Sequence, residues 1–99
     1  MIRGTTPTLK FTLPFEANNV IEAWITFSQN KNIILDKTFD DCSIDDKVII
    51  LVLSQEDTLS LDPRWDVDIQ IRIKTADNKV IASNIFSETV DRILKDGEM

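Results

Sequence analysis

Histidine and tyrosine are both missing from this 99-residue chain, and cysteine occurs once. Without an imidazole the usual serine, cysteine and metal-hydrolase constellations cannot be assembled, and Cys42 has no such base to activate it. A lone cysteine also excludes an intrachain disulfide. Its plain reading is a buried thiol that packs as a small apolar group, with an intermolecular bridge or a reactive thiol as the alternative. Glycine is confined to Gly4 and Gly97, so no glycine-rich phosphate loop is present. No apolar run approaches the ~20 residues of a membrane span, and Met1 to Thr6 lacks the apolar segment of a secretory leader. These absences predict a chain made in the cytoplasm, with no membrane partner and no cofactor.

Positive charge is also scarce. The 11 basic residues face 17 acidic ones, a net charge of −6. Phosphate contacts need clustered Lys and Arg, and here they are dispersed, which argues against a nucleic-acid partner. Length allows one domain with one modest core.

What the chain does have is period-two alternation. In Val67 to Lys74 the apolar Val67, Ile69, Ile71 and Ile73 alternate with Asp68, Gln70, Arg72 and Lys74. That pattern gives a strand one branched apolar face and one charged face, whereas a helix would scatter the isoleucines around its circumference. Thr8 to Leu13 alternates likewise, with Leu9, Phe11 and Leu13 on one face and Pro14 as its end. Val20 to Ser28 predicts a second strand with Ile21, Ala23, Ile25 and Phe27 inward and Val20, Glu22, Trp24 and Thr26 outward. A turn over Gln29 to Asn32 returns it into Ile33 to Lys37. Asp40 to Asp46 reads as an acidic turn, and Val48 to Leu53 as a strand apolar on both faces.

Ser54 with Asp57 resembles a capping box, so one helical turn is expected from Ser54 to Leu61, stopped by Pro63. After the strand at about Asp66 to Thr75, Ala76 to Lys79 forms a hairpin turn with Asn78 left-handed. A last strand runs from Val80 to about Val90, with a bulge near Ser83 and Asn84 where the apolar parity switches. Residues 1–6 and 92–99 read as loose ends. About seven strands and one short helical turn predict a single all-β domain, an immunoglobulin-like antiparallel β-sandwich, without the Cys-Trp-Cys core of antibody domains.

Candidate chemistry is thin. Asp40, Asp41, Asp45 and Asp46 are the best metal candidates. A calcium loop starting at Asp41 needs glycine sixth and glutamate twelfth, where Asp46 and Val52 stand. A solvated acidic loop fits better, and a looser calcium site is the alternative. Paired carboxylates of a glycosidase need only two groups, but few aromatics are available to line a sugar cleft. The reading is therefore non-enzymatic.

One physical feature stands out. If the second strand pairs with the strand at residues 48–53, then Val20, Trp24, Val48, Ile50 and Val52 share one outer sheet face. Five apolar side chains there make a patch of the kind that marks a contact surface, unless a loop or chain end covers it. Self-association or docking to a larger assembly is expected.

The segments Met1 to Thr8, Phe11 to Phe15, Ile25 to Gln29, Asp41-Cys42, Leu53 to Thr58, Ile69 to Arg72 and Ala82-Ser83 together resemble a group of small prophage proteins of Gram-positive bacteria. More distantly the chain is similar to the amino-terminal immunoglobulin-like domain of siphophage baseplate upper proteins. The resemblance implies a virion location and a structural role in a tail or baseplate, with other tail proteins or further copies of the chain as partners. It brings no catalytic residues. A small carbohydrate-binding or host-attachment module is the alternative, with Trp24 or Trp65 as a stacking platform.

Overall fold

The computed structural model describes every residue from Met1 to Met99. Eight strands are present: β1 (Thr8–Thr12), β2 (Val20–Gln29), β3 (Asn32–Thr38), β4 (Cys42–Asp45), β5 (Val48–Val52), β6 (Val67–Thr75), β7 (Val80–Ala82) and β8 (Phe86–Glu88). One short helix, α1 (Gln55–Leu59), joins the two halves. The antiparallel strands form two sheets, β1-β5-β4 and β3-β2-β6-β7, with β8 also on β6. In immunoglobulin lettering these are B-E-D and C′-C-F-G, so the chain is an immunoglobulin-like β-sandwich with no strand in the A position beside β1.

Both sheets bury the expected parity, except at the start of β2. Along β6, Val67, Ile69, Ile71 and Ile73 are buried. They meet Ala23, Ile25 and Phe27 of β2 and, across the sandwich, Phe11 of β1 and Ile49 and Leu51 of β5 in one core. Each such valine, leucine, isoleucine or phenylalanine contributes roughly 1.5–3 kcal/mol when taken fully from water, so the strand pattern and the core are a single fact.

The β2–β3 connection explains the topology. Asn30 and Lys31 both have positive φ, 49° and 66°, as a two-residue primed hairpin turn requires. That turn forces β3 onto one edge of β2, while β6 takes the other. A strand has only two edges, so β2 cannot pair with β5. The expected pairing of the second strand with residues 48–53 is corrected accordingly: β5 lies in the other sheet, between β1 and β4.

Three further expectations are corrected. The register of β2 against β6 shifts between Val20 and Glu22, which inserts Ile21 as an extra residue. Val20 then turns inward, 5% exposed, while Ile21 turns out at 55%. Within the acidic stretch Asp40 to Asp46, Cys42–Asp45 pairs with β5 as a strand that alternation alone did not reveal. The amino end is not loose: Ile2 bridges Asp91 in parallel, and Arg3 donates to the carbonyls of Leu59 (2.9 Å) and Leu61 (2.8 Å) at the end of α1. Cations are favoured at that helix terminus. The carboxyl end is tied at Asp96, which accepts from Arg3, and at Met99, whose N–H donates to Gln55.

Other local signals hold. Ser54 and Asp57 form a reciprocal capping box at 2.9 and 3.0 Å. Asn78 is left-handed, with φ 66°. The last strand is interrupted after Ala82, and the register on β6 advances by one residue between β7 and β8, which is the expected bulge. There the Ser83 hydroxyl accepts from the Ile71 N–H at 3.1 Å and so replaces a lost ladder bond. No helix is long and apolar enough to cross a membrane.

Candidate protein interface

Strand register fixes what each outer face presents. On the five-stranded sheet, Trp24 lies between Thr38 and Arg72, and Arg72 stands opposite Ala82. One step along are Glu22, Lys74 and Val80. The Arg72 guanidinium sits 5.4 Å from the centre of the Trp24 ring, a cation–π contact that leaves the indole 48% exposed. A shallow recess of about 180 Å³ opens between these side chains. The rest of this face mixes polar Thr26, Asp36, Asp68 and Gln70 with exposed Ile21, Ile33 and Ile85.

The three-stranded sheet is different. Its outer face has three rows: Thr8 with Val52; Lys10, Ile50 and Ser43; and Thr12, Val48 and Asp45. The central strand therefore carries an apolar stripe flanked by hydroxyls and two isolated charges. Val48 and Ile50 are half-buried by their neighbours, and Val52 is 56% exposed.

The five-residue patch expected from the sequence does not exist as one surface. Val20 is sealed in the core. Trp24 faces out from one sheet, while Val48, Ile50 and Val52 face out from the other, across a sandwich whose sheets pack about 10 Å apart. Trp24, Val48, Ile50 and Val52 do point outward, as parity predicts. Parity reports the face of a strand's own sheet and carries no information on which sheet that is.

Sequence reasoning also missed the open flank. On the side where strand A is absent, Phe11 and Leu13 of β1 and its end face Ile71, Ile73, Ile81 and Phe86 across a groove of about 340 Å³. Phe11 and Phe86 approach to 6.3 Å between ring centres, and Ile81 and Phe86 are both about 43% exposed. Neither side chain looks unusual in sequence, because the groove arises from pairing between distant strands. The opposite flank is guarded: Lys37 of β3 points inward at a sheet edge and pairs with Asp57 of α1 at 2.9 Å.

The titratable groups serve local structure. Asp41 caps the turn after β3 by accepting from the Thr38 N–H at 2.9 Å. The Arg64 guanidinium beside Asp62, with the Arg64 N–H, holds that partly exposed carboxyl down at about 2. Asp57 lies below the usual carboxylate range because bonds from Ser54 and Lys37 outweigh its partial burial. Glu16 is raised, chiefly because the Asp46 carboxyl hydrogen-bonds to its protonated form. The Cys42 thiol is half-buried, and desolvation followed by the Asp41 charge pushes it up, away from the reactive thiolate. No three acidic or thiol groups converge as a metal site would require. The features that stand out are surfaces for contact.

No protein-family model, curated protein or solved structure matches this chain.

Proposed function

We propose that this chain is a non-enzymatic structural or assembly protein of a phage or prophage virion, located in the tail or baseplate and acting through protein–protein contacts. It would be made in the host cytoplasm and then built into the particle. One observation carries the contact role: the central strand of the three-stranded sheet turns Val48, Ile50 and Val52 to the outside. An apolar stripe on an outer sheet face is stabilised when another surface covers it. The phage assignment draws on the resemblance of the segments from Met1 to Ser83 described above. The test is to purify particles and tail intermediates from a producing strain and search them for the chain by mass spectrometry. Presence in tail fractions supports the reading, and absence from particles and intermediates alike overturns it.

A second reading, a small carbohydrate-binding or host-attachment module, is favoured by the Trp24–Arg72 stack beside Glu22 and Lys74. An exposed indole with charged groups around it can stack on a sugar ring. A glycan array probed with the wild type and Trp24→Ala separates the readings: binding lost in the variant supports attachment, and no binding by either removes it.

A further inference from the structure

We propose that the outer face of the three-stranded sheet is a two-fold interface between two copies of this chain, its axis running along β5, with Lys10 of each copy meeting Asp45 of the other. This rests on the assembly reading above and names the partner for its apolar stripe.

The register supplies the geometry. Lys10 and Ser43 flank Ile50 on opposite sides, and Thr12 and Asp45 flank Val48 in the same way. A two-fold axis in the plane of the interface and parallel to β5 lays the β1 side of one copy over the β4 side of the other. Lys10 then stands over Ser43 of the second copy. Asp45 of that copy lies one step of two residues away, roughly 7 Å along the strand, within reach of a lysine stem. Thr12 stands over the same carboxylate and can donate to it. The stripe meets itself, valine on valine and isoleucine on isoleucine, across a sheet-to-sheet spacing of ~10 Å.

The charge pattern selects this axis. A two-fold perpendicular to β5 would stack Lys10 on Lys10 and leave Asp45 without a cation. An isologous contact needs a self-complementary surface, and a cation on one flank with an anion on the other provides it. Lys10 and Asp45 are both exposed, and neither belongs to any of the five ion pairs within the chain. The outer face of the other sheet lacks such a pattern: Trp24 already carries Arg72, and Ile21, Ile33 and Val80, among its other exposed apolar groups, lie on three different strands and form no central stripe. A face of three short strands falls below the ~1,600 Å² of a standard complex, so the dimer is weak and gains strength where many copies are held together.

Sedimentation from micromolar to millimolar concentration tests the interface, with thermal unfolding to establish that each variant is folded. The wild type should reach dimer mass, Ile50→Lys should stay monomeric, and Trp24→Glu on the opposite face should match the wild type. Lys10→Asp and Asp45→Lys should each weaken association at least tenfold, since each self-pairs like charges twice. An equimolar mixture of those two variants should dimerise again, because both cross-pairs then join opposite charges. A wild type that remains monomeric at millimolar concentration overturns the interface, and so does a mixture that associates no better than either variant alone. Detection of the chain in tail fractions is independent of this result: a monomer found there sinks the two-fold contact and leaves the assembly role standing.

Discussion

Gln29 reads both backbone groups of Asp62: its Nε2 donates to the Asp62 carbonyl at 2.7 Å, and its Oε1 accepts from the Asp62 N–H at 2.8 Å. The same Nε2 donates to the Trp65 carbonyl at 3.0 Å. A side-chain amide thereby acts as an extra ladder rung, fastening the 62–65 turn to the end of β2. The residue is only 3% exposed, so its bonds are made away from water. Gln29→Leu keeps the bulk and strands three backbone groups. It should cost about 2–3 kcal/mol or more in urea unfolding; a loss under about 0.5 kcal/mol would show that the turn holds without it.

The β2–β3 turn stores a small strain. Lys31 occupies the left-handed region, where an L side chain is disfavoured and glycine is not. Lys31→Gly converts the turn to Asn-Gly, the preferred primed pair, and should raise stability by about 0.5–1 kcal/mol. Chemical denaturation of the pair of proteins decides the sign.

The Val20–Glu22 irregularity makes a paired prediction. Ile69→Ala removes a fully buried side chain and should cost about 2–5 kcal/mol, whereas Ile21→Ala should stay within about 0.5 kcal/mol. If Ile21 instead faced the core, as unbroken alternation would have it, the two losses would be similar. Thermal midpoints are a sufficient readout.

Stability should depend on pH in two opposed ways. Asp57 and Asp62 have depressed values in the folded chain, Asp62 down to about 2. Their contribution is present above the unfolded carboxylate range and is lost as pH falls through the folded values. Glu16 is raised by Asp46. Its contribution is present in acid, below the ordinary glutamate value, and is lost as pH rises through the raised value. Urea midpoints should therefore fall on acidification toward pH ~2. Asp57→Asn should flatten that fall, and Glu16→Gln should remove the opposing gain that appears as pH drops through the raised Glu16 value. A Glu16→Gln profile identical to the wild type would rule out the shared proton.

Most of the outward-facing candidates were legible in the sequence. Alternation places Trp24, Val48, Ile50 and Val52 on outer faces, and it does so because side chains on a strand change face with every residue. Val20 was misplaced because one inserted residue inverts parity, and no local residue type in Val20-Ile-Glu22 marks the insertion. β4 escaped notice because Cys42 to Asp45 is short and mostly polar, and its strand conformation comes from pairing with β5.

The chain's own order of residues settled the core face of β6, the left-handed turn residue Asn78, the capping box at Ser54 and the bulge after Ala82. Each is decided by groups within a few residues of one another. The partition of strands between sheets, the open flank beside β1 and the separation of Trp24 from the β5 stripe were decided only by the tertiary structure. Pairing depends on which strand edges are still free once neighbours have joined, and that is a property of the assembled sheets.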